Sequence, residues 1–259
     1  MSNDAKPDDE LAGTEQPFVS HLIELRDRLV RASIAVAVAF GVLAFFPGPS
    51  ALYDMLAAPL VAQLPAGSTL IATNVISPFL VPLKITLMAA FLIALPVVLY
   101  QVWAFVAPGL YSHEKRLVLP LVFSSTLLFF VGVAFSYFFV FGQVFKFIQS
   151  FAPKSITAAP DIEAYLSFVM SMFIAFGAAF EVPVVVVLLV RMGLVTVEKL
   201  REFRGYFIVL AFVIAAVITP PDVVSQLALA IPMCILYELG VFAAGYFNRY
   251  SKAPDEAAG

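Results

Sequence analysis

The chain reads as an all-α polytopic membrane protein with six transmembrane helices, the last two short, and with both termini cytoplasmic. Three observations lead there. Of its 259 residues, 62% are hydrophobic and only 13% charged, about half the charge of an ordinary soluble domain. Uncharged apolar stretches such as 117–145 exceed the roughly 20 residues that carry a helix across a ~30 Å hydrocarbon core. Barrel strands would alternate apolar and polar residues, and these stretches do not. The third observation is the placement of Lys and Arg, which follows from the order of the elements.

Residues 1–20, with Asp4, Asp8, Asp9, Glu10 and Glu15 among Pro and small polar residues, read as a disordered acidic tail. They lack the basic start and apolar middle of a cleaved signal. His21–Arg31 reads as an amphipathic helix, with Leu22, Leu25 and Leu29 on one face and His21, Glu24 and Arg28 on the other. It leads into a first span near 29–46, stopped by Pro47-Gly48-Pro49. Residues 47–78 form a long connection without Lys or Arg, holding a short helix over 51–64 interrupted at Pro59. A second span covers 79–106, with Pro82 near its start, Lys84 one turn in and Pro96 as a kink. Pro108-Gly109 and the charged run His113-Glu114-Lys115-Arg116 separate it from a third span over 117–146. A polar loop at 150–163 precedes the fourth span, 164–190, which contains Glu181, and 191–204 is a charged connector.

The fifth apolar segment, 205–218, gives only about 21 Å of helix. Thr219-Pro220-Pro221-Asp222 then forces a turn, and a last helix starts near Val223 and ends by Arg249. Short helices of this kind tilt, thin the bilayer or form a re-entrant hairpin. The membrane domain therefore spans 21–249, and 250–259 is a C-terminal tail. With six spans, Lys6, Arg26, Arg28, Arg31, Lys115, Arg116, Arg191, Lys199, Arg201, Arg204, Arg249 and Lys252 share one side, against Lys154 alone on the other. That asymmetry puts both termini inside. Lys84 and Lys146 lie near outer span ends, where long side chains snorkel.

Several function classes drop out. A net charge of −3 provides no basic footprint for nucleic acid. A single cysteine, Cys234, and two histidines allow neither a disulfide framework nor a His- or Cys-rich metal centre. No segment reads as a phosphate-binding loop, since Gly240–Gly245 is followed by Tyr246. No cofactor site is expected.

The polar residues that remain carry both plain and functional readings. Glu24 and Glu114 lie on two cytoplasmic elements among basic residues; local pairing with Arg28, or with Lys115 and Arg116, is the plain account. The alternative is a receptor for cations, since each carboxylate can accept a bidentate guanidinium. Glu181 sits in the apolar run Phe180-Glu181-Val182-Pro183, where an ionisable group points to function unless a partner such as Lys84 neutralises it. Pro183 also removes a backbone bond to the Ala179 carbonyl. Thr219, Asp222, Ser225 and Gln226 surround the Pro-Pro turn; caps and turn formers explain most of them, but the Gln226 amide is suited to bonding another helix. The aromatic run 129–141 is lipid-facing or packing surface, and His21 and His113 are interfacial hydrogen-bonders.

Longer motifs then become visible. His21-Leu22-Ile23-Glu24-Leu25-Arg26, Tyr100-Gln101-Val102-Trp103-Ala104-Phe105-Val106-Ala107-Pro108-Gly109-Leu110-Tyr111 with Glu114-Lys115-Arg116, Tyr165-Leu166-Ser167-Phe168, Phe180-Glu181-Val182-Pro183 and Thr219-Pro220-Pro221-Asp222 occur in this order. In these stretches the chain resembles the TatC family of the twin-arginine protein translocase, over nearly its whole length outside the two tails. The resemblance implies a six-span receptor in the bacterial cytoplasmic (inner) membrane. Such a receptor binds the twin-arginine signal peptides of folded cargo and exports that cargo using the proton-motive force. It implies TatA and/or TatB single-span partners and self-association in a larger complex. Glu24 and Glu114 match the family's signal-peptide contacts, and Phe105 lies in the same matched stretch. Glu181 matches the intramembrane glutamate, and Thr219 and Gln226 match the region where partner helices dock. Ala215-Ala216-Val217 departs from that region in being small and plain.

Two rival classes make different demands. A proton-coupled solute transporter would relay through Glu181, Lys84 and Glu238 and show repeated halves, and no internal repeat is found. An intramembrane enzyme would need a nucleophile with its base or a metal pair, and neither H-E-x-x-H nor G-x-S-x-G occurs.

Overall fold

Ten helices and one π-turn carry the described part of the chain, which in this computed structural model comprises residues 9–61, 70–106, 118–151, 160–219 and 222–256. Among these residues there is no strand, only one isolated bridge between Ile71 and Asp161. Five helical stretches are long and apolar enough to cross a membrane, Val19–Phe45, Ser77–Val106, Leu119–Phe147, Ile162–Arg191 and Val223–Tyr246, and Arg204–Ile218 is a shorter apolar helix.

Helix α1 (Asp9–Phe45) is 37 residues long, about 55 Å, and so outruns a bilayer core. It starts at Asp9, well before His21, in residues expected from the sequence to belong to the tail. It stops where Gly48 takes a left-handed φ of +91° and its N–H donates to Leu43 O at 3.1 Å. Helix α2 (Pro49–Val61) runs on through Pro59 rather than breaking there. Helix α3 (Ser77–Val106) likewise holds both Pro82 and Pro96 inside one continuous helix. The Thr86 hydroxyl donates back to the Pro82 carbonyl at 2.8 Å within the same helix.

The third span divides into α4 (Val118–Phe135), a π-turn (Ser136–Val140) and α5 (Phe141–Phe151). The fourth is α6 (Ile162–Phe180) followed by α7 (Val182–Arg191), with Glu181 at the junction. The charged connector contains a short helix, α8 (Val197–Glu202), capped by Thr196 Oγ1, which accepts from Lys199 N at 3.3 Å. Then come α9 (Arg204–Ile218) and α10 (Val223–Glu256). Of the last two helices only α9, with 15 residues, is short; α10 continues past the expected end because no proline interrupts it between Pro232 and Pro254.

Contacts run α1 to α3, α3 to α4, α4 to α6, α7 to α10 and α10 to α9. The core gathers Val81 and Ile85 of α3, Phe141 and Val144 of α5, Phe176 of α6, and Leu229 and Met233 of α10. Two glycines let α4 and α6 touch closely: a Cβ on Gly132 would sit 2.5 Å from Phe176 O, and one on Gly177 would sit 2.3 Å from the Phe129 ring. Part of the aromatic run packs inward, with Phe141 stacked on Phe173 at 5.6 Å, and part faces outward, Phe138 being 81% exposed. Tyr137 and Tyr165 donate to Met55 O and Leu56 O at 3.0 and 2.8 Å, which pins α2 across the bundle.

Candidate functional site

The polar face of α1 turns toward α3. Positions 21, 24 and 28 follow the i, i+3, i+7 spacing of one helix face, and Glu24 and Arg28 are half-buried while Leu29 on the opposite face is 65% exposed. The His21 ring stacks on Phe105, near the end of α3, with centroids 4.3 Å apart and planes 19° from parallel. One turn along α1, Arg28 Nε and Nη2 both donate to a single oxygen of Glu24, Oε1, the former at 2.9 Å. The plain pairing expected of Glu24 is therefore present. Glu24 and Phe105 belong to motifs far apart in sequence, and the stack brings them to one place. The sequence predicts for His21 only an interfacial hydrogen bond, since no spacing pairs it with Phe105. Glu114 lies outside the described residues, as do Lys115 and Arg116.

Glu181 stands between α6 and α7, where Pro183 cannot donate to a preceding carbonyl. The Glu181 N–H turns to the carbonyls of Ala178 and Ala179, so the Ala179 acceptor expected to be orphaned is engaged. Both side-chain oxygens of Glu181 are buried, and neither has a hydrogen-bond partner among the described residues. The buried Ser125 hydroxyl lies within electrostatic reach and itself accepts from Trp103 Nε1 at 3.0 Å. Lys84, offered as a structural partner for Glu181, is engaged elsewhere: its Nζ lies 3.0 Å from Glu163 Oε1. Glu238 pairs with Arg204 at 2.7 Å. The three residues of the rival relay thus do not pair with one another.

At the Pro-Pro turn the buried Thr219 hydroxyl donates back to Ala215 O at 2.8 Å, within its own helix. Gln226 Nε2 donates across to Phe212 O at 3.3 Å, linking α10 to α9. The amide expected to be left for a partner is thus half used within the chain. Asp222 Oδ1 accepts from Ser225 N at 2.7 Å, the capping role.

A further polar centre, not anticipated from the sequence, sits at the opposite end of α6. Asp161 Oδ1 accepts from Glu163 N and Ala164 N at 2.9 and 3.0 Å, and Oδ2 from Thr73 N and Oγ1 at 3.0 and 2.7 Å. The Ala164 N–H, then the Thr73 hydroxyl and N–H, hold the Asp161 carboxyl down at about 2. Ile71 N donates to Pro160 O and Ile162 N to Ile71 O at 3.1 and 2.9 Å, tying the strap before α3 to the start of α6. Ser77 Oγ adds a bond to Glu163 Oε2 at 2.8 Å. Among the described residues no group of three or more His, Cys, Asp or Glu forms a metal site.

Residues 20–232 match the family described as Sec-independent protein translocase protein (TatC). The chain is 53% identical over 232 residues to the TatC of Escherichia coli strain K12, covering 90% of this chain and 89% of that one. It is 55% identical over 232 residues to the TatC of Halothiobacillus neapolitanus, with 90% of this chain aligned to 63% of the longer relative. It is also 40% identical over 243 residues to the TatC of Aquifex aeolicus, covering 93% and 100% of the two chains. A crystal structure of the twin arginine translocase receptor TatC superposes with a TM-score of 0.75 at 42% identity, covering 87% of this chain and 98% of that one.

Proposed function

The chain belongs to the TatC family of Sec-independent protein translocase proteins, and from that premise we propose that it is the receptor subunit for twin-arginine signal peptides. It is a multi-pass membrane protein in which Glu24 and Phe105 of the α1–α3 corner, together with Glu114, receive the paired arginines from the cytoplasmic side. Both termini face the cytoplasm of a bacterium's inner membrane, in keeping with the Lys and Arg asymmetry. TatA and/or TatB partners dock by the α9–α10 turn at Thr219 and Gln226, copies of the chain assemble in a larger complex, and the proton-motive force drives export of the folded cargo. Residues 1–20 and 250–259 serve as cytoplasmic extensions of the membrane domain at 21–249.

The observation that carries this reading is the stack of His21 on Phe105, which joins the turn of α1 that leads to Glu24 to the end of α3. A carboxylate binds a guanidinium through charge-assisted bonds, and a ring face accepts the same planar cation. Lysine, lacking the fork, fits this pairing less well. The test is the affinity of purified protein for synthetic signal peptides carrying Arg-Arg or Lys-Lys, at fixed salt. Glu24→Ala with Glu114→Ala is expected to weaken Arg-Arg binding at least tenfold and to erase the preference over Lys-Lys; wild-type affinity and preference in the double variant would overturn the assignment.

A further inference from the structure

Glu24 and Phe105 are each engaged by a side chain of α1 itself. Arg28, the more buried member of its pair, with 19% of its side chain exposed against 37% for Glu24, sets a guanidinium on the Glu24 carboxylate. The His21 ring lies nearly parallel over one face of Phe105, where a planar cation would stack. We propose that α1 closes the recognition corner with these two internal stand-ins for the ligand, Arg28 on Glu24 and His21 on Phe105, and that a signal peptide binds by displacing them. The inference rests on the reading that Glu24 and Phe105 receive the peptide's arginines.

The geometry says why the closure is reversible. A carboxylate offers two oxygens to the parallel bonds of a free guanidinium. Arg28, tethered four residues away on the same helix, delivers both its bonds to Oε1 and none to Oε2. An untethered guanidinium can engage both oxygens and so outcompetes a one-oxygen pair. Helical i,i+4 pairs at partly exposed sites are weak, and opening one costs the ligand only a small part of its binding energy. A lysine ligand gains less, because an ammonium cannot replace two parallel bonds. The closure therefore filters for arginine as well as shielding the carboxylate.

The test uses the full-length protein in lipid nanodiscs and a fluorescent synthetic Arg-Arg signal peptide, at fixed pH and salt. Arg28→Gln is expected to tighten binding about three- to fivefold, the size of a weak surface pair removed. Arg28→Lys, which keeps the charge and the helix while losing the fork, is expected to tighten it about twofold, and it serves in place of Arg28→Gln should that variant not fold. His21→Ala is expected to tighten it about twofold by uncovering Phe105. Arg26, whose partner is Asp27 at 2.8 Å, supplies the charge control. If Arg26→Gln tightens binding as much as Arg28→Gln, the gain is a general charge effect and the closure is refuted. If Glu24→Gln weakens binding while Arg28→Gln leaves it unchanged or weaker, the closure falls and the receptor reading stands. If Glu24→Gln binds like wild type, the receptor reading itself falls.

Discussion

Glu163 and Glu181 lie on the same span and meet opposite treatment. Glu163, at the start of α6, receives Lys84 on one oxygen and Ser77 on the other, and its neighbour Asp161 takes donors on both of its oxygens. Glu181, at the far end of the same helix, has two buried oxygens and no hydrogen-bond partner among the described residues. A buried carboxylate without donors is costly, whereas a saturated one is a structural tie. The contrast separates the end of the span that holds the fold together from the end where a polar group is kept in reserve.

The largest expected effect comes from disturbing the seam between α4 and α6, which lies on the Glu181 side of the span. Gly132→Ala places a methyl 2.5 Å from the Phe176 carbonyl oxygen, and a backbone atom cannot swing aside as a side chain would. Alanine's better helix propensity offsets only about 1 kcal/mol, so a net loss of about 1–3 kcal/mol is expected, seen as a fall in the thermal unfolding temperature of the purified protein. A Gly132→Ala variant as stable as wild type would mean that α4 and α6 are not held this closely.

Acid probes the tie more gently. The Asp161 carboxyl, ordinarily near 3.8, is held at about 2. A depressed carboxyl contributes stability that is full above its unfolded value and is lost as pH falls through the folded one. Thermal unfolding is therefore expected to lose a component between about pH 4 and pH 2, and Asp161→Asn is expected to remove that component while lowering stability near neutrality. An unchanged acid profile in Asp161→Asn would show that the strap from Ile71 to Thr73 does not depend on this charge.

Glu181 is expected to give the smallest change in stability and a clear change in activity. Glu181→Leu removes an unsatisfied buried group, so unfolding should be unchanged or slightly raised, while export of a twin-arginine cargo falls. Glu181→Gln, which keeps hydrogen bonding, is expected to retain more export than Glu181→Leu. Undiminished export with leucine would make Glu181 as structural as Glu163 and dissolve the contrast.

Much of the fold was legible because lipid imposes length and apolar continuity on spans. The ends of α3, α6–α7 and α9 fall within a few residues of the expected ones. Local exceptions were not legible. Pro59 does not interrupt its helix, and the aromatic run gives no sign of a π-turn. Lys84 stands as the plain alternative partner for Glu181 because both are charges within apolar runs; depth separates them. Lys84 and Glu163 each lie near the start of their helices, and Glu181 lies about 27 Å of helix rise beyond Glu163. Long-range polar contacts such as Thr73 to Asp161, 88 residues apart, leave no periodic trace. The candidate site divides the same way: its residues could be picked out as motifs, but the His21–Phe105 stack that assembles them could not.

The π-turn at Ser136–Val140 works as a phase shifter. Upstream, Val122, Ser125, Phe129, Gly132 and Ser136 turn inward at alternating steps of three and four, the rhythm of one helix face. An uninterrupted α-helix would carry that face on to Gln143, which is exposed; instead Val140, Phe141 and Val144 are buried. A π-turn accommodates one residue more than an α-helical turn does, and that extra residue rotates everything after it by about 100°. Two stretches whose hydrophobic faces are out of step thereby look into one interior, and Tyr137, inside the turn, is aimed sideways at α2. The third span is in this sense two clocks set to the same hour by a single added residue.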